Sequence, residues 1–263
     1  MAHGTRMAGE VEVVALCDAV GPMKPPLRRP LPETFPGTST GDFAGEPWVL
    51  HFHCYLLRDR RGRTVLVDTG IGAAGSPAES WAPTPGRLRD ELAAVGVAPG
   101  DVDVVILTHL HSDHAGGVTE NGRPVFSGAR HIVQRADLDW VAPSMREHVV
   151  SPLGDRLEAV DGEAEVLPGI HVVPAPGHTP GHQIVRVGEV AVTGDLVLHP
   201  VQLADPSIRY IYDEDAERAA ATRAELLARL RAERAVLATA HFPEPFTELR
   251  EERPPSEPAG RMR

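Results

Sequence analysis

Residues 102–117 read VDVVILTHLHSDHAGG. Apart from Asp103, Val102 to Leu107 is a continuous apolar run, the pattern of a strand buried on both faces. It ends at Thr108, and His109, His111, Asp113 and His114 follow at once, before Gly116 and Gly117 turn the chain. A strand end is a rigid mount that can aim imidazoles and a carboxylate at one point, as a metal site requires. Alternation puts His109 and His111 on one side, while the turn toward the glycines swings Asp113 and His114 to a neighbouring point. Two adjacent metal positions follow more naturally than one.

Three more elements of this kind lie downstream. Residues 176–182 read PGHTPGH, a tight turn fixed by proline and glycine that presents His178. Asp195 in Thr193-Gly194-Asp195 and His241 in Thr239-Ala240-His241 each stand at the end of an expected strand. Five histidines and two aspartates make seven ligands, more than one tetrahedral ion uses and enough for two ions sharing a carboxylate. His182 follows the motif turn and reads as a supporting residue. His51 and His53 share one face of a strand by period two and read as ordinary half-buried positions. Cys17 and Cys54 have no metal-type spacing and read as buried free thiols.

Around these motifs, Glu10 to Leu16, Trp48 to Leu57 and Arg63 to Asp68 read as strands, as do Ile170 to Pro174, Gln183 to Val187, Val190 to Thr193 and Ala235 to Ala240. A hairpin-like region is expected over residues 119–134, with a short helix after it. Thr84 and Pro85 read as the start of a helix carrying Leu88, Leu92 and Val95. Asp213 to Arg231 reads as the clearest helix, with acidic residues at its positive end. Strands followed by a helix in each half imply two packed sheets with helices outside. We read residues 1–250 as a single domain, residues 21–47 as a stiff proline-rich arm serving as lid, dimer arm or linker, and residues 251–263 as a flexible charged tail.

Charge narrows the partners. The 26 basic and 37 acidic residues leave a net charge of −11, which repels a phosphodiester backbone and argues against nucleic acid. No run approaches the roughly 18 apolar residues of a membrane span, and the first residues lack the apolar core of a secretory signal. A cytoplasmic protein is expected.

The order HxHxDH, PGHTPGH, GD and a late AH resembles the metallo-β-lactamase-fold hydrolases, over about residues 10 to 245. That resemblance implies an α/β fold, a four-layer αββα sandwich of two mixed sheets. Carried over by position, it implies that His109, His111 and His178 hold a first zinc, that Asp113, His114 and His241 hold a second, and that Asp195 bridges them. Leu66 to Gly70 (LVDTG) matches the early strand motif, with Asp68 as the acceptor that orients a ligand histidine. Two zinc ions per chain are expected, with iron, manganese or cobalt as the alternatives this donor set accepts. Two ions about 3.5 Å apart share a hydroxide that serves as nucleophile, with Asp113 and Asp195 as the catalytic carboxylates.

The resembling branch is that of parathion-hydrolase-like enzymes, arylesterases and lactonases, and it implies cleavage of an ester, a lactone or a related small-molecule bond. A mononuclear iron persulfide dioxygenase and a glyoxalase II-type thioesterase are the alternatives, the latter disfavoured by the short stretch after His241; a metal-binding protein without catalysis ranks last. The lactonases place a tyrosine three residues after the bridging aspartate, where this chain has Leu198, so Tyr210 or Tyr212 is the candidate substitute. His199, Leu198, Phe242, Phe43, Trp48, Val201 and Leu203 are candidate pocket residues for an uncharged, partly apolar small molecule. A homodimer is the expected assembly if the arm reaches a second subunit.

Overall fold

A computed structural model describes residues 3–43 and 48–249. Residues 44–47 of the proline-rich segment and the expected tail at 251–263 lie outside the described residues. The apolar runs assemble into two main sheets. The first holds seven strands in the order Thr5–Ala8, Val11–Gly21, Leu50–Asp59, Thr64–Val67, Val104–Ile106, Arg130–Gln134 and Leu157–Val160. It is antiparallel as far as Thr64–Val67 and parallel beyond it. The second holds six, Ala164–Leu167, Ile170–Pro174, Gln183–Val187, Val190–Val192, Val236–Ala238 and Phe246–Glu248, with one parallel pair between Val190–Val192 and Val236–Ala238.

Period-two alternation sorts the side chains into layers. Val65, Val67, Val104 and Ile106 point between the sheets, where they meet Val172, Val185, Val190 and Val192. Leu66 and Val105 point outward, under Leu88 and Leu92 of the helix Leu88–Ala94. On the opposite outer face Ala191 and Leu237 pack under Leu227 and Leu230 of the helix Ala216–Ala232. The result is the expected four-layer αββα sandwich.

Several local expectations change. The helix anticipated from Thr84 begins at Leu88, because its cap comes from another strand: buried Asp18 accepts the Leu88 N–H at Oδ1 and the Ile71 N–H at Oδ2, both at 2.7 Å. The hairpin anticipated over 119–134 is a two-residue ribbon, Thr119–Glu120 with Arg123–Pro124, and Arg130–Gln134 instead joins the first sheet in parallel. The proline-rich segment does not stand off the surface. Met23, Leu31 and Phe35 are buried against Ile71, Leu198 and Tyr210, so the segment folds over one rim of the sandwich. Among the described residues, no helix is long and apolar enough to cross a membrane.

Candidate metal centre

The strands that run parallel bring their C-terminal ends to the same rim, where ligands gather in open α/β sheets. Thr64–Val67 leads into Asp68, Val104–Ile106 into Thr108 and His109, Val190–Val192 into Asp195, and Val236–Ala238 into His241. Main-chain bonds lock the loops together. Gln183 N donates to Thr108 O at 2.9 Å and Thr69 N to His114 O at 2.7 Å.

The sequence-predicted histidines and aspartates converge in two groups, His109, His111, His178 and Asp195 in one and Asp113, His114 and His241 in the other. In the first, His111 Nδ1 lies 3.0 Å from His109 Nε2 and 2.9 Å from His178 Nε2. In the second, Asp113 Oδ2 lies 3.5 Å from both His114 Nε2 and His241 Nε2. Asp195 faces both. Its Oδ2 is 3.1 Å from His178 Nε2, and its Oδ1 is 3.0 Å from His114 Nε2 and 3.1 Å from His241 Nε2.

The far side of each ring fixes which nitrogen faces inward. His114 Nδ1 donates to Asp68 Oδ2 at 2.8 Å, His178 Nδ1 to Asp213 Oδ1 at 2.9 Å, and His241 Nδ1 to the His51 carbonyl at 2.8 Å. Thr108 Oγ1 donates to Asp68 Oδ2, so it accepts from His109 Nδ1 at 3.1 Å. With those protons placed, lone pairs crowd the centre. His114 Nε2 and Asp195 Oδ1 are buried without a hydrogen-bond partner. Acceptors at such separations repel unless a cation lies among them, so the donor set suits divalent ions of the zinc, iron, manganese or cobalt type.

The buried carboxylates draw positive charge, either as protons on the inward nitrogens or as cations bound in their place. Burial opposes ionisation throughout, yet Asp195, with Asp113 and Asp68, outweighs it and raises His114 well above the usual imidazole range. Asp195 and Asp213 likewise lift His178 to about 9 against burial, and Asp195 and Asp113 raise His241. Burial and the His114 charge push His109 well down, while burial and His178 take His111 to about 3. Asp113 and Asp195 stay below the ordinary carboxylate range despite burial, held there by the imidazoles. Two buried carboxylates thus call for compensating positive charge.

Supporting residues complete the centre. His182, its pKa pushed down to about 3 by burial, accepts the Asp195 N–H at Nε2 (2.9 Å) and faces the Ala175 carbonyl with Nδ1. Gly194, at φ +47°, lets these groups meet, since a Cβ there would lie 2.7 Å from His182 Nε2. Three contributors are absent from the sequence reading. Asp137 accepts Leu110 N at 2.9 Å and Gly181 N at 2.7 Å, tying the HxHxDH loop to the PGHTPGH loop. Asp213 holds His178, and fully buried Arg223 stands 3.5 Å from Asp213 while donating to the carbonyls of Leu196, Pro206 and Ile208. The helix expected from Asp213 starts at Ala216 with Asp215 as its N-cap, so Asp213 lies ahead of it.

A cavity of about 410 Å³ opens on the centre, with His111, Asp113, His178, Asp195 and His241 at its base. Its apolar wall is Met23, Leu27, Leu50, Trp81, Leu198 and Ile211. Of the expected pocket residues, Leu198 is there. His199 instead sits tilted or edge-on among Phe35, Phe43 and Trp48, with ring centroids 5.1–5.9 Å apart, and Val201 packs against that same cluster. Phe242 and Leu203 pack beneath the helix Ala216–Ala232 with Leu227 and Leu237, because the chain turns inward after His241. Tyr210 lines the cavity with its ring stacked on His178 at 6.2 Å, whereas the Tyr212 hydroxyl is committed to the Leu27 carbonyl at 2.7 Å.

A family model described as the metallo-beta-lactamase superfamily matches residues 49–241. An N-acyl homoserine lactonase from Bacillus sp is 33% identical over 170 residues, 59% of this chain and 64% of the relative. One from Bacillus cereus is 34% identical over 150 residues, 51% of this chain and 57% of the relative. The chain therefore spans about three-fifths of the length of these curated relatives. Among solved structures, hydrolase AbOPH of the beta lactamase superfamily superposes with a TM-score of 0.79 at 23% identity, covering 94% of this chain and 92% of that one. AidC, described as a dizinc quorum-quenching lactonase in complex with a product, superposes at 0.75 with 21% identity, covering 92% and 91%.

Proposed function

Because this chain belongs to the metallo-beta-lactamase superfamily, we propose that it is a hydrolase that holds two zinc ions and opens lactones or related uncharged esters. The observation that carries this reading is the Asp195 carboxylate, whose Oδ2 faces His178 of one group and whose Oδ1 faces His114 and His241 of the other. His109, His111 and His178 would hold one ion and Asp113, His114 and His241 the second, with Asp195 shared. Bound there, the pair supplies an acidified water and a Lewis acid for the scissile carbonyl.

The protein's own groups do the rest. Asp68, Asp213, Thr108 and the His51 carbonyl keep four imidazoles in the tautomer that points a lone pair inward. Water adds to the acyl carbon, and Asp113, at the cavity base, takes up the released proton and returns it to the leaving oxygen. The acyl C–O bond then breaks to give a carboxylic acid and an alcohol. Tyr210 offers its hydroxyl to the carbonyl oxygen, the part that Leu198 cannot play. The apolar wall, including Met23 and Leu27 of the proline-rich segment, excludes water and seats an acyl chain. That choice of substrate agrees with the named activity of the Bacillus relatives.

The test is to assay the zinc-loaded protein on N-hexanoyl homoserine lactone, phenyl acetate and a diethyl aryl phosphotriester. The lactone should be favoured in kcat/KM by at least ~10-fold. Preference for either other substrate would displace the lactone assignment, and no turnover of any of them would overturn the hydrolase reading.

A further inference from the structure

A second cluster of metal-type donors lies outside the centre. Cys17, His51 and His53 each offer one ligand atom, and the three atoms lie within 4.8 Å of one another. Their separation in sequence hides this. The strands Val11–Gly21 and Leu50–Asp59 pair antiparallel with Cys17 opposite His53, and the register shifts between Cys17 and Ala19. Such a bulge re-aims side chains. The Cys17 sulfur lies 3.7 Å from His51 Nδ1, and the His51 and His53 rings stack at 5.3 Å.

His53 supplies the independent observation. The residue is only 7% exposed. Nε2 bonds to the Phe242 carbonyl at 3.0 Å, so it carries the proton and Nδ1 keeps the lone pair. That buried Nδ1 has no hydrogen-bond partner. A buried acceptor left unpaired is costly, and in a residue clustered with a thiol and a second imidazole it is the nitrogen left for a ligand role.

We propose that Cys17, His51 and His53 form a third site, for a single thiolate-tolerant divalent ion of the zinc class. Binding breaks the Cys17 S–H bond, forms a sulfur–metal bond and releases the proton to solvent. Cys17 and His51 are half-buried, so the fourth position is left to water. The site lies directly behind the His241 loop: the His51 carbonyl accepts from His241 Nδ1, and His53 N donates to the Ala240 carbonyl at 2.9 Å. An ion there clamps the strand that holds residues 240–242 in place.

The seven-residue centre contains no sulfur, so a cobalt–thiolate charge-transfer band reports this site alone. With the zinc pair already loaded, titration with cobalt should give that band in the wild type and in Cys54→Ser, saturating at one cobalt per chain. Cys17→Ser should give none, and His51→Ala, which alters a half-buried ring, should weaken cobalt binding by at least ~10-fold. The proposal is overturned by a wild type without the band, by a band that persists in Cys17→Ser, or by unchanged affinity in His51→Ala. Lactone turnover of the same samples before cobalt is added reports separately on the hydrolase reading.

Discussion

Asp213 Oδ1 accepts the Nδ1 proton of His178 at 2.9 Å, on the side of the ring away from the metal centre. The acceptor is itself held, since Arg223 stands 3.5 Å from its other oxygen and donates to the carbonyls of Leu196, Pro206 and Ile208. The pair keeps the His178 lone pair on Nε2 and makes the ring a better donor. Asp213→Asn should therefore lower both zinc affinity and kcat by about 10- to 100-fold with the fold intact. Zinc competition with a chelating dye and steady-state kinetics measure the two effects, and wild-type values for both would remove Asp213 from the account.

Leu198 and Tyr210 share the cavity wall, and they separate substrate classes. Tyr210→Phe removes the only one of the two nearby phenols whose hydroxyl is not tied to Leu27, and should cut lactone kcat by about 10-fold while leaving KM within a factor of about two. Leu198→Tyr adds a donor on the same wall. It should raise lactone turnover in the Tyr210→Phe background and lower turnover of a bulky aryl ester by crowding its leaving group. Equal small effects on both substrates would mean that neither residue meets the reacting group.

How much of this could be read from the chain follows a physical line. The central strands were legible because burial on both faces leaves an unbroken apolar run, as in Val104–Ile106. The four strands missed, Thr5–Ala8, Leu157–Val160, Ala164–Leu167 and Phe246–Glu248, are the four edges of the two main sheets, where one side meets solvent and the pattern blurs. The metal-type residues were legible because strand ends and glycine turns concentrate them in short motifs. Asp137, Asp213 and Arg223 were not, since each acts across a tertiary contact that no local spacing encodes. The Cys17 cluster was hidden for the same reason, and the inward turn after His241 took Phe242 away from the pocket.

Burial of His131 predicts a pH dependence of stability. The ring is fully enclosed, and burial pushes its pKa down to about 4 from 6.5. As pH falls, the unfolded chain takes up the proton first, so the contribution is complete above pH 6.5 and is lost as pH drops toward about 4. Between those values the loss reaches at most about 3 kcal/mol. His131→Leu should flatten the stability profile in that window, as read from urea midpoints at pH 7 and pH 5. An unchanged slope would show that other groups set the acid limit.

The dinuclear reading is tested most directly by lactone turnover as zinc is returned to metal-free protein, with bound zinc per chain measured on the same samples. If Asp195 joins two ions into one working centre, turnover stays low through the first equivalent and reaches its plateau only at two zinc per chain in the seven-residue centre, read in Cys17→Ser so that the proposed third site does not count. Full turnover at one zinc per chain, or turnover without bound metal, would contradict it.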